Sequence, residues 1–127
     1  MIWVIDGDTV ILEIGWREHK IRLDSIDCPE DGQYWGDVAT YGLLKILNKQ
    51  TIRVEGHGID NYGRELATLY VWNRKTGDWM NVNERMVTLG HALVMRRYYN
   101  HLQKNRQTKL NQLERKKKKK NIGLWHD

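Results

Sequence analysis

The chain has one cysteine, one proline and no phenylalanine among its 127 residues. The single thiol, Cys28, excludes an internal disulfide and any cysteine-built metal site. No apolar run reaches the ~18 residues that a membrane-spanning helix requires, and every long stretch carries charge. No membrane partner is therefore expected. The opening Met1-Ile2-Trp3-Val4-Ile5-Asp6 has neither a basic n-region nor an apolar h-region. A cytoplasmic location is expected, and secretion would require a leader removed beforehand. Internal repeats and linkers rich in Pro, Gly or Ser are also missing. What remains is a single domain over residues 1–127, large enough to bury roughly two-thirds of its unfolded surface. It is expected to be a monomer.

The net charge is +5 and the pI near 9.4, but the charge is unevenly spread. Arg115 and Lys116, Lys117, Lys118, Lys119 and Lys120 supply six positive charges without an acid. The rest of the chain is close to neutral. Runs of this kind contact nucleic acid, or else they are solvated helix ends where cations favour the dipole.

Apolar residues alternate along Val10, Leu12 and Ile14, and again from His19 to Ile26, with a turn at Gly15-Trp16-Arg17 between them. A period of two on both sides of a turn predicts a hairpin, with Arg22 facing away from Ile21 and Leu23. Two further strands are predicted over residues 51–55 and 65–72, separated by a loop that Gly56, Gly58 and Gly63 break. A short first strand precedes them all. A helix over residues 37–48 would bury Val38, Tyr41, Leu44 and Leu47. A second begins at an Asn81 N-cap with Glu84 three positions on, buries Val82, Met86 and Leu89, and ends before Gly90. A third, polar helix over residues 102–120 is anchored by Leu110 and Leu113, with Leu124 and Trp125 docking after it. The predicted class is α+β, mainly β: five strands curled into a barrel with three helices, an open sheet being the alternative.

Polar residues gather at strand ends. Asp6-Gly7-Asp8-Thr9 precedes the second strand and Asp27-Cys28-Pro29-Glu30 follows the third. Pairing through the Gly15 turn brings Asp8 and Asp27 together, and close carboxylates stay ionised only beside a cation or a positive side chain. All-oxygen donors suit a hard ion such as Ca²⁺ or Mg²⁺. The plain alternative is an Asp-Gly-Asp turn, with Asp27 capping the loop before Pro29. Arg22 and Arg64 add forked guanidinium groups that match phosphate, and Glu30 could align or deprotonate water. Together these are the parts of a phosphodiesterase site. Surface ion pairs would also account for each arginine.

Val4-Ile5-Asp6-Gly7-Asp8-Thr9-Val10, Ile21-Arg22-Leu23 leading to Ile26-Asp27-Cys28-Pro29-Glu30, and Asp60-Asn61-Tyr62-Gly63-Arg64-Glu65-Leu66-Ala67 together resemble the staphylococcal nuclease family. Val82-Asn83-Glu84 and the closing Gly123-Leu124-Trp125 continue the likeness over essentially the whole chain. The resemblance implies a five-stranded OB-fold barrel with three helices. It implies Ca²⁺-dependent cleavage of DNA and RNA, with water attacking phosphorus in line, the 5′ oxygen leaving and 3′-phosphate ends remaining. It assigns Asp8, Asp27 and the Cys28 main-chain carbonyl to Ca²⁺, Glu30 to the water, and Arg22 and Arg64 to the phosphate. Asp6 would stand just outside the metal, and Tyr62 and Tyr98 would line the nucleotide pocket. Position 28 is Cys where the best-known member has Thr, a change that a carbonyl ligand tolerates.

The five histidines show no i, i+4 pair of the kind that holds zinc on a helix, so structural or surface roles are expected. Most of the six tryptophans are expected in packing. A nucleophilic Cys28 is not expected, because no histidine accompanies it in the motif. A non-catalytic nucleic-acid-binding module of the same fold is the competing reading. It is disfavoured because Asp8, Arg22, Asp27, Glu30 and Arg64 are all present.

Overall fold

The computed structural model describes residues 2–29, 34–95 and 104–120, with the side chains of 118–120 left aside. In chain order the elements are β1 (Ile2–Asp6), β2 (Thr9–Ile14), β3 (Arg17–Leu23), β4 (Ile26–Asp27), α1 (Tyr34–Leu47), β5 (Ile52–Ile59), β6 (Glu65–Asn73), β7 (Asp78–Asn81), α2 (Val82–Thr88), β8 (Leu93–Val94) and α3 (Lys104–Lys120). The main sheet runs β1-β2-β3-β6-β5, with β7 added on β6, while β4 pairs β8 separately. All of these pairings are antiparallel except β3 with β6. The architecture is mixed, mostly sheet, and OB-like. The five longest strands match the five expected; β4, β7 and β8 are short additions. No helix among the described residues is long and apolar enough to cross a membrane.

The hairpin forms as its alternation demands. Ile14 pairs Arg17 across the two residues Gly15 and Trp16, and Gly15 takes the positive φ of 64° that this two-residue turn needs. Val10, Leu12, Ile21 and Leu23 all point into the core, and Arg22 points to the other side. Each large side chain so buried contributes roughly 1.5–3 kcal/mol. Two strand boundaries differ from expectation. The third strand does not continue to Ile26: it stops at Leu23, and the chain turns through Asp24 and Ser25, whose φ is 64°, before β4. β5 does not stop at Glu55. It passes through Gly56 and Gly58 by a bulge, where the register slips by one residue against Ala67 and Leu66 and Gly58 adopts φ 128°.

Helix α1 starts earlier than predicted and buries Gly36, Ala39, Leu43 and Leu47, a stripe that shares only Leu47 with the expected one. Tyr41 is 62% exposed and Leu44 is exposed too. Steps of three residues drift by about 60° each around a 100°-per-residue helix, so a buried face must mix steps of three and four. The small residues on that face let α1 press close to the Asp6–Thr9 turn. A Cβ on Gly7 would lie 2.7 Å from that of Ala39 and 2.9 Å from that of Cys28. At α2 the reciprocal cap is present: Asn81 Oδ1 accepts from the Glu84 amide at 3.0 Å, and Asn81 Nδ2 donates to the Glu84 carboxylate at 3.2 Å. Gly90 follows with φ 77°. Leu110 and Leu113 anchor α3, which also carries a buried Glu114. Leu124 and Trp125 lie outside the described residues.

Candidate active site

Four strand ends meet in one place. The Leu23 amide donates to the Asp8 carbonyl at 2.8 Å, and Thr9 pairs Arg22, so the start of β2 lies beside the end of β3. Parallel pairing of Ile21 with Glu65 and Arg22 with Leu66 brings in the start of β6, just after Arg64. β4 adds Asp27.

Asp8 is 6% exposed. Its Oδ1 accepts from Thr9 Oγ1 at 3.2 Å, and its Oδ2 accepts from the Cys28 amide at 2.9 Å. Its own amide donates to Asp6 Oδ1 at 3.1 Å, which places Asp6 directly behind it. Burial pushes the Asp8 carboxyl up to about 7 despite the pull of Arg22. One guanidinium therefore does not compensate its desolvation.

Arg22 Nη2 lies 3.4 Å from Asp8 Oδ2 and 3.4 Å from Asp27 Oδ1, so both carboxylates converge on one cationic atom. Its Nη1 donates to the Leu23 carbonyl. Among the described residues no three His, Cys, Asp or Glu side chains form a ready metal cage. Two carboxylates are present, Asp8 and Asp27, and both face the same Arg22 nitrogen. The Cys28 thiol is buried, and burial with the neighbouring Asp8 charge pushes its pKa far up. It is a neutral thiol, neither nucleophile nor thiolate ligand.

Arg64 enters from the other side. Its Nη1 donates to Thr9 Oγ1 at 3.4 Å, so Thr9 stands between Arg64 and Asp8. The Tyr62 ring packs against the guanidinium, its centroid 5.5 Å from Cζ, and Tyr62 is otherwise exposed. Arg22, Ser25, Tyr62, Arg64 and Leu66 are among the residues around an adjoining cavity of about 330 Å³. Glu30 and Tyr98 lie outside the described residues. Lys116 is exposed and Lys117 half-buried on α3, and nothing is described of the side chains of Lys118, Lys119 and Lys120.

A second polar network escaped the sequence reading. Arg106 on α3 donates to Glu55 Oε1 at 2.9 Å, Tyr70 Oη at 2.9 Å and Thr68 Oγ1 at 3.3 Å, fastening the helix across β5 and β6. His57, turned inward by the β5 bulge, lies 3.1 Å from Glu55 Oε1 and 3.0 Å from Thr68 Oγ1. Buried Asn83 accepts from the Leu69 amide and donates to the carbonyls of Asp24 and Ala67, each at 3.1 Å. Apart from Glu55 and His57, two positions apart on β5, these partners are distant in sequence, so no local spacing announces them. Asp60, which contacts Arg64 directly, was also unassigned. Its signal was available: an Asp opening a turn with Arg four positions on.

A family model described as staphylococcal nuclease homologue matches residues 20–127. The chain belongs to that family. The match takes in Arg22, Asp27, Cys28 and Arg64, and relatives extend the likeness over Asp8. A micrococcal nuclease from Shigella flexneri is 30% identical over 130 residues, covering all of this chain and 72% of its own length. An Escherichia coli O157:H7 protein named as an uncharacterized endonuclease is 32% identical over 127 residues, covering all of this chain and 76% of its own length. A Haemophilus influenzae protein of the same description is 31% identical over 133 residues, covering all of this chain and 65% of its own length.

Proposed function

We propose that this family member is a Ca²⁺-dependent, sugar-nonspecific nuclease that cleaves phosphodiester bonds of DNA and RNA at the 5′ oxygen and leaves 3′-phosphate ends. The enzyme class, a hydrolase acting on nucleic acids, follows from the family. The observation that favours the finer reading is the approach of Asp8 and Asp27 to within 3.4 Å of a single Arg22 nitrogen.

The donor set fits the metal. Asp8, Asp27 and the Cys28 carbonyl would hold Ca²⁺ through hard oxygens alone, and the under-compensated charge of buried Asp8 favours an added cation. Bound there, Ca²⁺ would supply positive charge to offset that of the phosphate. Arg22 and Arg64 bind the phosphate oxygens and meet the charge that builds as water attacks. Arg22 reaches the phosphate by exchanging its contacts to the carboxylates and the Leu23 carbonyl. Glu30 would accept the proton of the attacking water as the bond from phosphorus to the 5′ oxygen breaks, and the departing alkoxide takes its proton from solvent. Asp6 fixes the Asp8 amide, and Tyr62 and Tyr98 line the nucleotide. The lysines 116–120 gather substrate without entering the chemistry.

The test is hydrolysis of single- and double-stranded DNA and RNA with Ca²⁺, Mg²⁺ or chelator. Cleavage with Ca²⁺, little with Mg²⁺ and none with chelator is expected. Binding without cleavage under all three conditions would favour a non-catalytic module.

A further inference from the structure

We infer that Asp60 is a positioning residue, which holds the Arg64 guanidinium so that its paired Nη edge faces the phosphate. The inference rests on the nuclease reading above. The turn Asp60-Asn61-Tyr62-Gly63-Arg64 is closed by two main-chain bonds, Asp60 N to the Arg64 carbonyl at 2.9 Å and Gly63 N to the Asp60 carbonyl at 3.2 Å. Gly63 sits at φ 78°, which a side chain would strain. Within this frame the two carboxylate oxygens of Asp60 have different tasks. Oδ1 accepts from the amides of Tyr62 and Arg64, both at 2.9 Å, and so builds the turn. Oδ2 accepts from Arg64 Nε at 2.7 Å, and so orients the side chain.

The arginine guanidinium is planar and carries five N–H donors, on one edge shared by Nε and an Nη and on another shared by the two Nη. With Nε committed to Asp60, the plane can no longer spin about its stem, and the edge bearing Nη1 and Nη2 is left outside that pairing. Nη1 already reaches Thr9 Oγ1 at 3.4 Å, and that hydroxyl donates to Asp8. The Tyr62 ring lies beside the guanidinium, its centroid 5.5 Å from Cζ. The orientation is therefore set before any substrate arrives, and three of the five N–H donors remain for a phosphate. Burial acts to raise the Asp60 pKa, but bonds from the Arg64 and Tyr62 amides and from Arg64 Nε leave it below the usual carboxylate value, so the acceptor stays charged at neutral pH.

Asp60→Asn separates the two tasks. Its Oδ1 can still accept from both amides, but its Nδ2 would face Arg64 Nε with donor against donor. The expected result is a folded protein with a near-parental melting temperature, a KM within about threefold and a kcat lowered roughly 10²-fold, the cost of a misplaced catalytic group. In an Arg64→Ala background, Asp60→Asn should change kcat no further. The Arg64 Nε–H resonance should be shifted and protected in the parent and not in the variant, whether or not substrate is present. A parent that hydrolyses nucleic acid beside an Asp60→Asn variant of equal turnover would overturn the inference and leave the nuclease reading intact. Additive losses of kcat in the double variant would also overturn it, because a merely structural role predicts them. A parent with no hydrolysis would overturn the nuclease reading and this inference with it, leaving the resonance to report the geometry alone. Should Asp60→Asn not fold, Asp60→Ser gives the same comparison, since its hydroxyl can still accept from the turn.

Discussion

The Cys28 amide donates to Asp8 Oδ2 at 2.9 Å across twenty residues of sequence. This bond ties the end of β4 to the turn before β2, and it fixes the backbone at the position whose carbonyl is the proposed third oxygen donor. It also makes the identity of side chain 28 secondary, since that side chain is a buried, neutral thiol.

Ca²⁺ should stabilise the fold in the absence of substrate. A ligand at 100 times its Kd adds about 2.7 kcal/mol if it binds only the native state. Thermal melts should rise with Ca²⁺, less with Mg²⁺, and Asp8→Asn should abolish the rise. An undiminished Ca²⁺ shift in a folded Asp8→Asn protein would remove Asp8 from the site.

Glu30→Gln preserves shape while removing a base. Turnover should fall by ~10²–10⁴, with substrate affinity much less affected. Arg64→Lys should also lower turnover, because a point charge replaces a two-pronged donor. Parental turnover in both variants at saturating Ca²⁺ would refute the assigned roles.

The lysines 116–120 should act through salt-sensitive attraction. Each phosphate neutralised on duplex DNA contributes a slope near −0.9 in log affinity against log salt. Replacing the five with Gln should raise KM at low salt, leave kcat nearly unchanged, and converge with the parent as salt rises. A solvated helix end would move neither constant. Steady-state kinetics at two ionic strengths decide between them.

Acid should loosen the fastening of α3. The hydrogen bond from Arg106 is the chief influence that holds Glu55 below its ordinary pKa, against a smaller rise from burial. A depressed acid stabilises above its unfolded pKa, about 4.3, and that contribution disappears as pH falls through the lower folded value. The Glu55 side chain is 39% exposed, so screening limits the effect to at most about 1 kcal/mol. In urea melts, Glu55→Gln should be less stable than the parent at pH 7, and the difference should shrink in strong acid. A constant difference across pH would refute the pairing.

The readable parts of this fold share a local cause. The β2–β3 hairpin follows from alternation about Gly15, and its register alone brings Thr9 against Arg22 and the Asp8 carbonyl against Leu23. The α2 cap follows from residues three apart. The α1 face was misread because Tyr41 and Leu44 are apolar but outward, and only the close approach of Ala39 to Gly7 decides which stripe packs. The break after Leu23 depends on bonds made at a distance, Asp24 N to the Ala67 carbonyl and Met95 N to the Ser25 carbonyl. The Arg106 network joins residues up to 51 positions apart, so nothing near Arg106 distinguishes it from a solvated helix charge.

The parallel pairing of β3 with β6 gives the site an order of assembly. Asp8 and Arg22 meet through a hairpin that closes a short loop, whereas Arg64 reaches Thr9 across 55 residues. Short loops close first and long-range pairing comes later. During folding Asp8 and Arg22 are therefore brought together before the second guanidinium arrives, whereas Asp27 waits on the still longer-range pairing of β4 with β8. The hairpin alone thus carries half of the cleft, one carboxylate and one guanidinium, and the second of each is added only when the long-range topology is complete.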